Sequence, residues 1–334
     1  MSSVDVVIPC YNYARYLPQC VGSVLNQQGV EVRALIIDDC SQDDSEIVGR
    51  RLAEQHSNVE YRRHSVNRGH IATYNEGLLD WAKADYVLLL SADDMLAPKS
   101  LERSCRIMDG YPNVVLTCGR AVEFHDEYSL PILATPETST AKLEIFTGQQ
   151  FLELACRTGQ NHISCPTAVV RTTIQQKIGG YASDLPHAGD MEMWMRFACH
   201  GDVAILSTWQ AFYRKHDQNM SQFYLGYPLR DLRERLNAFE RIFKVYEDKI
   251  FDRELLQVKY RKAVAEMAFW GSQHAFEQYD MVTFQEYLSF AVQTFPAIRE
   301  WRHFSRMRWK QFIGPRIYNV LQFFLHKFSA RTKS

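Results

Sequence analysis

The 334-residue chain has no uninterrupted apolar run approaching the roughly 18 residues of a membrane span. Its eight cysteines form no C-x-x-C pair and no metal-binding spacing. Several fall in apolar patterns, so they read as reduced core thiols of a cytoplasmic protein. An excess of positive charge is also missing. Lys and Arg total 38 against 39 Asp and Glu, a net charge of −1. That balance excludes the strongly basic face of a nucleic-acid-binding protein. No G-x-G-x-x-G is present, which argues against a nicotinamide oxidoreductase. Pro9-Cys10-Tyr11-Asn12, after the first apolar segment, is not the Gly-rich phosphate loop of a nucleotidyltransferase. Met1 to Pro9 lacks the basic flank and apolar centre of a signal peptide and reads as a first strand. What is present is ordinary for a globular protein, 46% hydrophobic and 23% charged, at a length that suits two domains or one with an appendage.

The chain is organised around Asp85 to Pro98. Tyr86 to Leu90 is a continuous apolar run, the pattern of a strand buried on both faces in a parallel sheet. It stops at two adjacent carboxylates, Asp93 and Asp94. In open α/β sheets, ligands sit beyond the carboxyl ends of the strands. Paired hard oxygen donors there suit Mg2+ or Mn2+ carrying a diphosphate. An acidic helix N-cap ahead of Pro98 explains Asp94 equally well on local sequence.

Read in order, Val4 to Ile8 is a strand that Pro9 should break, followed by a helix over 15–27. A strand over 32–37 ends in Asp38 and Asp39, and alternation lets only one of the two reach a ligand. A brief strand over 59–61 precedes Asn67-Arg68-Gly69, which is either a turn or the start of a phosphate-attracting helix. A helix over 98–111 and a strand over 114–118 complete an alternation that predicts a mostly parallel, doubly wound α/β sheet. Residues 124–147, rich in Pro, Thr and Ser, read as a mobile loop over the cleft. Strands are expected over 163–171 and 203–206, with Asp190 and Glu192 in the first turn of a helix between them.

After residue 224 the pattern is helical throughout, beginning with Leu229, Leu232, Leu236, Phe239 and Phe243 on one face. From Arg299 onward nine Lys or Arg face one acidic residue, interleaved with aromatics including Trp301, Trp309 and Phe312. Such a segment suits an anionic membrane surface, or it packs on its own domain. The expected division is 1–120, 121–223 and a C-terminal helical region (224–334).

Six motifs, in order, resemble the inverting glycosyltransferase family 2 with its GT-A fold. They are Val-Val-Ile-Pro-Cys-Tyr-Asn (6–12), Ile-Ile-Asp-Asp-Cys-Ser (36–41), Asn-Arg-Gly with Asn-Glu-Gly (67–77) and Leu-Leu-Ser-Ala-Asp-Asp (89–94). Gly-Asp-Met-Glu-Met-Trp-Met-Arg (189–196) and Tyr-Arg-Lys-His with a later Ser (213–221) complete the set. The resemblance implies that 1–120 is a nucleotide-sugar half and 121–223 an acceptor or catalytic half. On the same resemblance Pro9, Tyr11 and Asn12 line the base pocket, Asp39 accepts from the base N–H and Arg68 approaches the diphosphate. It implies that Asp93 holds the ribose or assists at the metal, that Asp94 ligates Mn2+ or Mg2+, and that His216 returns to that metal. A solvated loop histidine is the alternative for His216. Asp190 falls where the family's catalytic base lies. Ser91 replaces the first Asp of the common D-x-D, and Gly189 replaces an acidic residue usually found before the base.

The activity implied is transfer of one sugar, with inversion, from a nucleotide sugar to a saccharide or lipid-linked saccharide. UDP is the expected carrier. No Q-x-x-R-W element of the processive members occurs. Surface polysaccharide synthesis in the cytoplasm or at the inner face of the membrane is the implied setting, with residues 299–334 as a peripheral membrane contact. The rival reading is a catalytically inactive nucleotide-sugar-binding or scaffold relative. Its signature, loss of Asp94 or Asp190, is not present.

Overall fold

A computed structural model describes residues 1–125, 142–217, 219, 228–314 and 317–318. Its first half alternates as the sequence pattern requires. The run is β1 (Ser3–Cys10), α1 (Leu17–Leu25), β2 (Glu31–Asp38), α2 (Ser45–Gln55), β3 (Val59–Arg63) and α3 (His70–Asn75). Helix α3 continues as a π-helical turn, Glu76–Trp81, before β4 (Tyr86–Leu89), β5 (Met95–Leu96) and α4 (Ser100–Gly110). Next come β6 (Val114–Phe124), β7 (Leu143–Phe146), α5 (Gly148–Thr158), β8 (Val169–Arg171), α6 (Thr172–Ile178), α7 (Gly189–Ala198) and β9 (Asp202–Arg214). Among the described residues the α-helices α8 (Pro228–Val245), α9 (Arg253–Glu277), α10 (Met281–Thr294) and α11 (Arg302–Ile313) follow.

The strands form one sheet in the order β3-β2-β1-β4-β8-β6-β9-β5, with β7 also on β9. The β3-β2-β1-β4 block is wholly parallel, as is β6 with β9, while β8, β5 and β7 pair antiparallel. Alternate residues of β1, β2 and β4 feed two apolar layers. Val4, Val6, Ile8, Ala34, Ile36 and Leu88 pack with α1, α2 and α4. Val7, Leu35, Ile37, Val87 and Leu89 join a core that runs through α5 and α7 into the C-terminal helices. Each fully buried side chain of this kind adds about 1.5–3 kcal/mol. The helical region after 228 thus shares its apolar core with one face of the sheet.

Four expectations change. Pro9 does not break β1, which runs on to Cys10 and keeps Pro9 in register with Ile37. On its other side β4 has already ended at Leu89, so the missing N–H removes no ladder bond. The strand expected over 163–171 shrinks to Val169–Arg171, because Cys165–Thr167 forms a 3-10 turn around Pro166. Conversely, the strand expected over 203–206 extends to Arg214, pairing with β6 at Trp209 and from Ala211 to Arg214. Within the loop expected over 124–147, Leu143–Phe146 is a strand because it finds β9 as an antiparallel partner, while residues 126–141, the Ser at 221 and residues 319–334 lie outside the described residues. The described part of the basic aromatic segment packs on the protein's own helices through Phe304 and Met307, and leaves Trp309 and Phe312 exposed.

Candidate active site

The carboxyl ends of β1, β2 and β4 open into a cavity of about 1010 Å3. Pro9, Tyr11 and Asn12 wall it from the end of β1, Asp39 from the end of β2, and Asp93 and Asp94 from beyond β4. Asp190, at the start of α7, lies in the same wall. Arg68 and His216 do not; they stand behind it.

Parity separates the paired acids at the end of β2. Asp38 turns away, accepting from the Ser41 amide (2.8 Å) and the Tyr61 hydroxyl (2.7 Å). Asp39 faces the cavity and accepts from the amides of Arg68 (2.7 Å) and Gly69 (2.8 Å). The His64 ring lies 2.7 Å from Asp39 on one side and 3.0 Å from Glu76 on the other. The Arg68 guanidinium pairs with Glu76 at 2.8 Å, so the side chain expected near the diphosphate is engaged elsewhere. Asn12 sits at a left-handed φ of 59°, a conformation asparagine tolerates, and its side-chain oxygen takes the Gln42 amide at 2.7 Å. Tyr11 lines the cavity and stands 44% exposed.

Beyond β4, the antiparallel pairing of Met95 with Phe212 sets Asp93 and Asp94 against the end of β9. Both are buried. Asp94 accepts from the Arg214 amide at 3.0 Å, and burial, then the charge of Asp93, pushes its carboxyl well above the usual range. His216 Nε2 lies 3.0 Å from Asp93, and the imidazole packs against Tyr13 and Tyr16. Asn219 donates to the same Asp93 oxygen at 3.2 Å. Arg214 is buried between the rings of Tyr16 and Phe124, with Nε donating to the Asp93 carbonyl.

Among the described residues no three His, Cys, Asp or Glu side chains converge as a self-sufficient metal cage. A cation bridging a diphosphate needs none, since phosphate and water supply most of its ligands and one or two carboxylates suffice. Two buried carboxylates, one of them with its ionisation disfavoured by burial and by its neighbour, with an imidazole beside them, form a donor set that a divalent ion would complete.

Asp190 is half-buried. Its carboxylate accepts from the Met191 amide at 2.7 Å and from Asn161 Nδ2 at 2.9 Å. Burial pushes it up to about 6, with the Met191 amide, the nearby His187 and Asn161 pulling the other way. Glu192 is buried and paired with Arg196 at 2.8 Å, so it braces α7 and is not a wall residue. Sequence reasoning assigned no role to His64, Asn161 or Arg214. Of these only Arg214 fell inside a quoted motif, and nothing local marks the other two.

Residues 5–173 match the family described as Glycosyl transferase family 2. The chain belongs to that family and is a glycosyltransferase. An uncharacterized glycosyltransferase of Rickettsia typhi is 23% identical over 261 residues, covering 77% of this chain and 75% of that one. Among solved structures, S. aureus TarS 1–349 in complex with UDP-GlcNAc superposes with a TM-score of 0.60 at 14% identity, covering 87% of this chain and 81% of that one. The mannosyltransferase PcManGT of Pyrobaculum calidifontis, in complex with GDP-Man and Mn2+, gives 0.52 at 16% identity, covering 86% and 85%. These likenesses place the fold as GT-A.

Proposed function

We propose that this glycosyltransferase inverts the anomeric centre, works with Mn2+ or Mg2+, and moves one sugar from a UDP-sugar to a hydroxyl of a saccharide or lipid-linked saccharide. The observation that carries this reading is a single cavity walled both by strand-end carboxylates and by an aspartate raised to about 6. Inversion requires one in-line displacement, with the acceptor hydroxyl entering as the nucleoside diphosphate leaves. Asp190 takes the hydroxyl proton as the new bond forms, and a carboxylate near 6 suits that task better than an ordinary one. Pro9, Tyr11 and Asn12 form the base pocket, and Asp39 accepts the N–H of the pyrimidine on its remaining lone pairs. Asp93 holds the ribose, while Asp94 would hold the cation, with His216 close by, 3.0 Å from Asp93. When bound, that ion supplies Lewis-acid stabilisation of the charge growing on the leaving diphosphate. Arg68 acts through its backbone, by fixing Asp39. Surface polysaccharide assembly at the cytoplasmic face of a membrane fits such an acceptor.

Calorimetric titration of UDP, GDP and dTDP, each with Mn2+, into wild type and Asp94→Asn tests the reading. UDP binding that requires both Mn2+ and Asp94 is the expected result. GDP is included because the Pyrobaculum calidifontis neighbour is complexed with GDP-Man. Nucleotide binding indifferent to Asp94 and metal would sink the assignment and bring the inactive-relative reading forward.

A further inference from the structure

The segment carrying Asp190 is gripped from a helix well outside the residues that match the family. Helix α8 presents Asp231, Glu234, Ala238 and Arg241 on one face, at spacings of three and four. Glu234 is buried, and its Oε2 accepts from the amides of His187 (2.8 Å) and Ala188 (3.2 Å). Ala188 is the N-cap of α7 and has no side-chain oxygen to cover that end, so a carboxylate from another helix stands there instead. Asp231 lies 2.8 Å from His187 Nε2. Arg241 reaches Asp184 at 2.9 Å and Glu192 at 3.6 Å, bracketing the segment on both sides. Buried Ala238 is small enough to let the two helices approach.

We propose that Asp231 and Glu234 are positioning residues: they hold His187 and the entry to α7 so that Asp190 faces the acceptor side of the cavity with an imidazole beside it. The proposal rests on the reading of Asp190 as the base. Glu234 fixes the backbone two to three residues before Asp190, and Asp231 fixes the His187 ring, which lines the cavity. The groups facing Asp190 are His187, Asn161, the Cys165 thiol and the Tyr74 and Tyr181 hydroxyls. His187 is the one among them that carries positive charge when protonated. Asp231 in turn meets Arg235 at 2.8 Å, and Glu234 meets Arg230 at 3.4 Å. Losing the imidazole therefore removes a force that favours the charged base, and losing Glu234 frees the backbone that aims it.

The test uses the full chain. Carboxyl NMR of 13C-aspartate protein, assigned against Asp190→Asn, follows the titration of Asp190, and hydrogen exchange follows the amides of 187 and 188. In His187→Ala the Asp190 midpoint should rise by roughly half a pH unit or more. In Glu234→Ala the two amides should exchange about tenfold faster or more, and glycosyl-transfer turnover should fall about tenfold with UDP–Mn2+ affinity unchanged. Glu234→Gln keeps an acceptor oxygen and should restore most of the protection and turnover. Equal losses in the Ala and Gln variants, or UDP affinity falling in step with Tm, would overturn the proposal by showing a general folding role. An unmoved Asp190 midpoint in His187→Ala would overturn it too. If wild type binds no nucleotide while the midpoint and exchange shifts appear, the positioning stands and the reading of the reaction falls.

Discussion

The two parts of the cavity wall are held by different balances of backbone and side-chain donors. Asp39 and Asp94 accept from backbone amides, those of Arg68, Gly69 and Arg214. Asp190 takes one backbone amide as well, that of Met191, but its segment leans more on side chains: Asn161 on the carboxylate itself, Glu234 and Asp231 from α8, and Asn75 from α3, which bonds both the amide and the carbonyl of Tyr181. Backbone donors are present whatever residues occupy the strand ends. Side-chain donors must be supplied residue by residue, and each can be lost singly. Donor binding should therefore tolerate changes around it, whereas Asp190, proposed as the base, should answer sharply to its neighbours.

The strongest break of this comparison is Asp190→Asn. Loss of a general base costs about 10^2- to 10^4-fold in turnover, and UDP–Mn2+ affinity should stay unchanged because no donor-side carboxylate is touched. In wild type, kcat/KM should fall as pH drops below about 6, since Asp190 must be ionised to take the proton. Turnover surviving in Asp190→Asn, or an acidic limb set near the ordinary carboxylate range, would remove Asp190 from the reaction.

The same contrast explains what the sequence made legible. Alternation along β2 put Asp39 on one face and Asp38 on the other, and burial on both faces marked β4 as the strand leading to Asp93 and Asp94. These inferences need only the period of a strand. Glu234 was invisible for the opposite reason. The pattern Leu229, Leu232, Leu236, Phe239 declares a helix with an apolar face, but it does not say what meets the acidic residues beside that face. Pro9 was read as a breaker, whereas Pro166 was passed over inside the strand expected across 163–171, and the structure reverses both readings. Only the neighbouring strand's early end spares β1, and no local signal carries that fact. The extension of β9 past Leu206 was likewise set by pairing, of Trp209 and of Ala211 to Arg214 with β6, not by apolar content.

A paired substitution sharpens the contrast at smaller amplitude. Asn161→Ala removes a hydrogen bond that favours the charged form of Asp190, so the acidic limb should move upward, and turnover near pH 6 should fall about tenfold for one charge-assisted bond. His64→Ala removes a comparable neighbour of Asp39, yet two backbone amides remain on that carboxylate. UDP affinity should then weaken by less than about tenfold. Calorimetry on His64→Ala and a pH–rate profile on Asn161→Ala measure the two effects. A larger loss at His64 than at Asn161 would erase the distinction between backbone and side-chain support.

The smallest effect is on stability and has an unexpected sign. Asp94 is raised by burial and by Asp93, so the folded protein resists its ionisation while the unfolded chain does not. Below the unfolded value, near pH 4, the group is protonated in both states and imposes no penalty. As pH rises from there toward the folded value, the unfolded chain ionises more readily and stability is lost. Asn keeps the size and an oxygen for the Arg214 amide but cannot ionise. In metal-free buffer at neutral pH, Asp94→Asn should thus melt above wild type, by roughly 2–4 °C for each kcal/mol relieved, and the gap should close near pH 4. With UDP and Mn2+ the order should reverse, because only wild type gains stability from binding them. A variant that melts below wild type in metal-free neutral buffer would show that Asp94 is already compensated, and the cavity would have no unmet demand for a cation.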